Sequence, residues 1–390
     1  MMKYDFDKII ERRGTDSLKW EASEDPEMLP LWVADMDFCV APAITEAIRK
    51  RAEHCIYGYS KVPQAYYDAI IGWFGKRHGW EIRPEWIGCC SGVIPSLAAI
   101  ISHCTEPDEK VLIQTPVYDA FISIIQNCGR EIVTSPLKYR NDTYIVDFED
   151  LERKASDEKV TLMLLSNPHN PAGRVLSREE LQRIGEICIR HGVLLVSDEI
   201  HCELTAPGVG YTPLGSVSEE IRQHCVSCIS PTKSFNIAGL KIANVVVANS
   251  KLRRKVMAAL VRNRVADVNP FGIVATIAAY TEGGEWIDQL NEYIASNYKY
   301  MKEFCRKQLP QFSLLPLEGT YLVWMDCSSL GIPSEELAEK LKSEAHLWLN
   351  AGIHYGEEGD DFLRWNIACP RSVLERALHR FMSFVRLHLI

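Results

Sequence analysis

Ser230-Pro231-Thr232-Lys233-Ser234-Phe235-Asn236 decides how this chain reads. The stretch follows a run of apolar and small residues, 225–229, that predicts a buried strand. It precedes Ile237-Ala238-Gly239-Leu240-Lys241, where the chain turns again. Lys233 is therefore expected in a short polar loop at a strand's end. An amine held there and partly desolvated loses proton affinity and can act as a nucleophile. A lone loop lysine is ordinarily a solvated charge. Its neighbours elsewhere in the chain argue otherwise.

From Lys110 onward, strands and helices alternate. Apolar runs at 111–114, 131–136, 160–166, 193–197, 226–229 and 243–248 predict strands, with helices at 121–128, 147–155 and 178–191 between some of them. Near-continuous apolar strands in this rhythm predict an α/β fold whose mostly parallel sheet is covered by helices on both faces. Ligands of such sheets collect at the strands' C-terminal ends. Four polar clusters fall there: Tyr118, Asn167-Pro168-His169-Asn170, Asp198-Glu199-Ile200-His201 and Ser230 to Lys233. Turn chemistry alone does not account for four such clusters. A strand over 85–90 and the small residues Ser91-Gly92 lead into a helix, leaving the Val93 and Ile94 amides free to face an anion.

After Asn269-Pro270 the character changes to mixed strands and helices, which predicts a smaller α+β domain. A helix begins there at Ser334, read as its cap. At 390 residues two domains are expected. We place the larger at 45–284 and the smaller at 1–44 with 285–390. The smaller carries Arg364 in the apolar run Phe362-Leu363-Arg364-Trp365. A buried guanidinium needs a partner, either a structural carboxylate or a substrate's. Residues 29–38 read as extended, lining a pocket or packed on the surface.

Composition narrows the class. The chain is 47% hydrophobic and 24% charged, with no run long enough for a membrane span. Met1 to Asp7 lacks a leader's apolar core. A net charge of -9 without a dense basic run argues against nucleic-acid binding. Thirteen cysteines show no paired zinc-type spacing and no secreted framework, so a cytoplasmic protein with reduced thiols and no metal is expected.

Together the clusters match the needs of pyridoxal 5'-phosphate. Lys233 would hold its aldehyde and Asp198 keep its ring nitrogen protonated. Tyr118 would stack on the ring and Asn170 donate near the phenolic oxygen. Val93, Ile94, Ser230, Thr232 and Lys241 would hold the phosphate. With its Asn167-Pro168-His169-Asn170-Pro171-Ala172-Gly173, Ser197-Asp198-Glu199-Ile200-His201 and Ser230-x-x-Lys233 motifs and late Arg364, the chain resembles fold-type I pyridoxal-phosphate enzymes of the class I/II aminotransferase family, end to end. It looks most like the cystathionine β-lyases of the MalY/PatB type, also called C–S lyases. The stretches carrying that likeness are Arg12 to Trp20, Leu31 to Phe38, Tyr57-Gly58-Tyr59, Lys233 to Leu240 and Asn366 to Arg371.

The resemblance implies a PLP-dependent transferase-like fold and a homodimer with active sites at the subunit interface. Tyr59, or its neighbour Tyr57, would reach the partner subunit's phosphate. Arg364 would dock the carboxylate of an amino-acid substrate beside Asn170, Ala34 and Trp32, and Lys233 would remove the α-proton. A β-thiolate would then leave, giving a thiol, pyruvate and ammonia. Without such a group, the same residues imply transamination. Regulation through a bound transcription activator is the non-enzymatic alternative. Lys241 departs from the arginine usual there, keeping the charge without the fork. His201 is expected behind Asp198 rather than at the ring.

Overall fold

The computed structural model describes residues 4–388, so Met1 to Lys3 of the opening stretch lie outside it. Seven strands form the main sheet: β1 Ile87–Cys90, β2 Lys110–Ile113, β3 Glu131–Thr134, β4 Val160–Ser166, β5 Leu194–Asp198, β6 Cys225–Ile229 and β7 Ala243–Val246. Their order is β1-β7-β6-β5-β4-β2-β3. β3, β2, β4, β5 and β6 pair in parallel, while β7 pairs antiparallel with both β6 and β1. Among the described residues, β7 is therefore the only strand of this sheet that runs the other way.

The strands are short and almost wholly apolar because helices cover both faces. Leu162, Leu164, Val196 and Val226 join one apolar cluster. Met163, Leu165, Leu195 and Cys225, on the alternate positions, join another, as a strand's period of two requires. Leu181, Ile184, Ile187 and Cys188 of the Arg178–Arg190 helix turn inward as expected, and a Ser177/Glu180 capping box fixes where that helix starts.

The Gly284–Gln308 helix leads to a second sheet: β8 Ser313–Leu314, β9 Leu322–Asp326, β10 Asn350–Ala351 and β11 Phe362–Asn366, ordered β8-β9-β11-β10 and antiparallel throughout. Residues 29–30 pair in parallel with 347–348, so the N-terminal segment is bound to the C-terminal part of the chain.

Several boundaries differ from the sequence reading. Glu85 lies in a 3-10 turn, Pro84–Trp86, because Pro84 favours a helical first position. Ser334 is not a cap; Pro333 holds that position, and Ser334 Oγ donates to Asp360 Oδ1 at 2.9 Å instead. Lys233 sits in a single helical turn, Pro231–Ser234, rather than a loop. The Ser250–Arg262 helix and the hairpin of Lys138–Arg140 with Thr143–Ile145 lie outside the sequence expectation.

Candidate active site

The lysine turn is built from its own sequence. Ser230 follows β6 in extended conformation, and its Oγ accepts from the Thr232 amide at 3.1 Å. Pro231 fits the first helical position because no hydrogen bond is asked of its nitrogen there. Ser230 Oγ also donates to Ile242 O at 2.7 Å and lies 2.7 Å from Thr232 Oγ1. Ser230 thus fixes the turn and does not line the cavity beside it, whereas Thr232 does.

That cavity is about 400 Å³ and is lined from six strand ends. Tyr118 follows β2, Ser166 and Asn170 come with β4, Asp198, Ile200 and His201 with β5, and Lys233 follows β6. Ser91 to Pro95 follow β1. Lys241 and Ile242 precede β7, whose reversed direction puts its start at the same edge. The helix Val93–Cys104 opens onto the cavity with no side chain capping it, so its first amides and dipole face the space. Lys241 is exposed, in left-handed conformation at φ +46°. The four clusters predicted to share a site do share one.

Burial tunes the titratable groups. Desolvation pushes the Asp198 carboxyl up to about 7, and Glu199 adds to the effect. The Ile200 amide, donating to Asp198 Oδ1 at 3.0 Å, and Lys233 oppose it. The Lys233 ammonium is brought down to about 8, chiefly by desolvation and also by Arg364, against the opposing pull of Asp35 and Asp198. Lys233 Nζ donates to Ala34 O at 2.6 Å. His201, held down to about 3 by burial, Lys233 and Arg364, is a neutral imidazole lining the cavity with its Nδ1 unpartnered. It belongs to the wall, not behind Asp198.

Arg364 is 3% exposed and, among the described residues, pairs with no carboxylate. Nη1 donates to Asn170 Oδ1 at 3.0 Å and Nη2 to Trp32 O at 2.7 Å, its guanidinium lies 5.0 Å over the Tyr355 ring, and its buried Nε has no partner. A bare guanidinium held this way, reaching the lysine's electrostatics, suits a carboxylate brought from outside. Trp32 enters through its carbonyl, while its ring stacks on Trp348 at 4.5 Å.

The segment 31–38 proves to be interior. Asn366 Nδ2 donates to Val33 O and Asp35 O, each at 2.6 Å. Asn236 Nδ2 donates to Met36 O at 3.0 Å and Phe38 O at 2.9 Å. Asp35 and Asp37 bind Arg12 at 2.7 Å each, and Asp37 also takes buried Lys19 at 2.8 Å and Trp20 Nε1 at 2.9 Å. Burial alone would raise the Asp37 carboxyl; Lys19, Trp20 and Arg12 hold it below its ordinary value. Arg12, Lys19, Asn236 and Asn366 all fall within the family-like stretches, yet nothing in their spacing shows which carbonyls and carboxylates they bind. Tyr321, whose hydroxyl donates to Ala34 O at 3.0 Å, carried no sequence signal.

Tyr57 and Tyr59 separate clearly. Tyr57 Oη donates to Ala52 O at 2.8 Å and its ring rests on Phe271. Tyr59 stands fully exposed, away from its own chain's cavity.

An amine, a buried carboxyl, an aromatic wall and an uncapped helix start with a cation beside it fit pyridoxal phosphate; the donor set leaves each of these groups accessible. Comparison with known proteins agrees. The model of the family "Aminotransferase class I and II" matches residues 26–381. Cystathionine beta-lyase PatB of Bacillus subtilis is 40% identical over 97% of this chain and 99% of its own. A PLP-bound putative aminotransferase from Clostridium difficile superposes with a TM-score of 0.96 at 39% identity, covering 98% of this chain and 100% of its own. Cystalysin from Treponema denticola, whose crystal structure contains pyridoxal 5'-phosphate, superposes at 0.95 with 32% identity over 99% of both chains. Sequence, sheet order and site together place this chain in the aminotransferase class I and II family.

Proposed function

We propose that this protein binds pyridoxal 5'-phosphate through Lys233 and cleaves the carbon–sulfur bond of S-substituted cysteines, releasing a thiol, pyruvate and ammonia. The observation that carries the reading is the convergence of a lysine near pKa 8 and a buried carboxyl on one cavity, with a carboxylate-free arginine hydrogen-bonded to Asn170 of its wall. The likeness to cystathionine β-lyase PatB along the whole chain supports the sulfur-bearing substrate. When bound, the cofactor supplies an aldehyde for the substrate amine and a ring that takes up the electron pair freed at Cα.

The chain's own residues do the rest. The Val93 and Ile94 amides, Thr232 and Lys241 would hold the phosphate, with Ser230 setting the turn that carries Thr232. Tyr118 would pack on the ring, Asn170 would donate toward its phenolic oxygen, and the Asp198 carboxylate would accept a hydrogen bond from the ring N–H and so keep that nitrogen protonated. Arg364 receives the substrate carboxylate, and Asn170 Oδ1 and Trp32 O fix the guanidinium's plane. Lys233 Nζ, neutral in an appreciable fraction near pH 7–8, takes the Cα proton. A β-thiolate then departs with its bonding electrons. Ala34 and neutral His201 form the wall nearby.

In the same reading, two subunits pair so that Tyr59 reaches the partner's phosphate, since Tyr57 spends its hydroxyl on its own chain. The domains divide at 45–284 against 1–44 with 285–390. The protein works in the cytoplasm, which suits the free cysteines among its described residues, most of them buried or half-buried.

The test is L-cystathionine given to purified holoprotein, with the visible spectrum and pyruvate followed together. A cofactor band that Lys233→Ala abolishes, with pyruvate and homocysteine formed by the parent, is expected. The band without pyruvate, but with amino transfer to an added 2-oxo acid, would replace the lyase by an aminotransferase.

A further inference from the structure

The carbonyl of Ala34 accepts two hydrogen bonds, from Lys233 Nζ at 2.6 Å and from Tyr321 Oη at 3.0 Å. A carbonyl oxygen has two lone pairs, and these donors fill both. The carbonyls on either side are fixed as well: Asn366 holds Val33 O and Asp35 O, and Asn236 holds Met36 O. The peptide that faces the lysine is thus clamped from the second sheet on one side and from the lysine turn on the other. Tyr321 directly precedes β9, follows Thr320 at φ +68°, is fully buried, and sets its ring edge-on to His201 at 5.9 Å. It does not line the cavity. Burial raises its phenol well above the ordinary range, so the hydroxyl remains a donor.

We infer that Tyr321 is a positioning residue for proton transfer: it holds the Ala34 carbonyl as the acceptor that orients Lys233 Nζ toward the substrate Cα. The inference rests on the reading of Lys233 as the base. In the step, the Cα–H bond breaks and an N–H bond forms at Nζ, while the electron pair stays with the substrate and cofactor. The lysine that gains the proton becomes an ammonium. It needs a fixed acceptor that does not itself titrate, and a clamped peptide carbonyl serves. A carbonyl free to swing would leave the amine to rotate about its stem, and misplacement of a reacting atom is costly in rate.

The test is Tyr321→Phe, which keeps the ring and removes only the hydroxyl. Exchange of the α-proton of L-alanine in D2O reads the proton-transfer step without requiring elimination. We expect the exchange rate at saturation to fall about tenfold, the size of one lost hydrogen bond, with KM for L-alanine within twofold and the cofactor band unchanged. In the apoprotein at pH 9.5, where Lys233 is neutral, capture of pyridoxal phosphate should slow by a similar factor, with no change in the amount finally bound. Exchange and capture both within twofold of the parent would overturn the inference. A second measurement needs no variant: in a crystal of the holoprotein with an unreactive amino-acid analogue, Nζ released from the cofactor should lie within 3.2 Å of Ala34 O. A separation beyond 4 Å would overturn it too. If the parent itself lacked the cofactor band, the proposed function would fall instead, so the two failures are distinguishable.

Discussion

Asn236 and Met36, two hundred positions apart, clasp each other through a reciprocal pair of hydrogen bonds: Met36 N donates to Asn236 Oδ1 and Asn236 Nδ2 donates to Met36 O, both at 3.0 Å. Asn236 does this at φ +56°, a conformation asparagine tolerates better than most residues. Asn236→Ala should cost about 2–3 kcal/mol in urea unfolding, from the lost bonds and the strained backbone. Asn236→Gly loses the same bonds without the strain and should be milder by about 1 kcal/mol. Equal costs would show that the backbone contributes nothing.

Lys233 titrates near 8 because burial and Arg364 disfavour its charge. Capture of pyridoxal phosphate by the apoprotein requires the neutral amine, so its rate should rise with pH and level off with a midpoint near 8, not at the ordinary lysine value near 10.5. Removing a cation from the surroundings favours the ammonium, so Arg364→Ala should move the midpoint upward. Asp35 acts in the opposite sense, and Asp35→Asn should move it downward. A stopped-flow pH profile of the three proteins checks both signs.

Arg364→Lys keeps the charge but loses the fork that spans Asn170 and Trp32 O. KM for the amino-acid substrate should rise by about 10- to 100-fold, matching about 1.4–2.8 kcal/mol of lost charge-assisted bonding, with the cofactor band intact. A KM within threefold of the parent would remove Arg364 from the carboxylate's contacts.

Asp198→Asn replaces a carboxylate by a neutral amide, which lacks the negative charge that keeps the ring nitrogen protonated. The cofactor should still bind at Lys233, while kcat falls on the order of 10²- to 10⁴-fold, the range for loss of a positioned proton-handling group. Steady-state kinetics beside the absorbance spectrum separates the two effects.

Tyr59→Phe should weaken cofactor binding about tenfold or more, as loss of a hydrogen bond to a charged group does. Tyr57→Phe should leave it unchanged, because that hydroxyl is already bound to Ala52 O. The reverse pattern would assign the phosphate contact to Tyr57. Sedimentation of the protein checks the dimer on which this prediction depends.

Much of this architecture was legible because its signals are local. Val160–Ser166 is apolar throughout, which marks a strand covered on both faces, and the chemical residues then follow at its end. The lysine turn, Asp198 and Asn170 could be placed at one edge from chain order alone. Two kinds of feature were not legible. The Ser250–Arg262 helix sits in a charged stretch, and Asn249, which caps it, is also common in turns. The acceptor set of segment 31–38 depends on Asn236, Tyr321 and Asn366 arriving from far along the chain, and no spacing rule spans such distances. His201 was set behind Asp198 because sequence adjacency says nothing of which way a side chain turns after a strand ends.

Segment 31–38 is synthesised long before Tyr321, Asn366 and Ala368, which hold it. Contacts of such long reach form slowly, and domains complete as units during synthesis. The main sheet is complete by residue 246, with Lys233 at its edge, but the amine's acceptor carbonyl is set only once residues 321 to 368 are in place. The lysine therefore reaches its place in the chain well before the residues that aim it, and the site is assembled by its latest contacts.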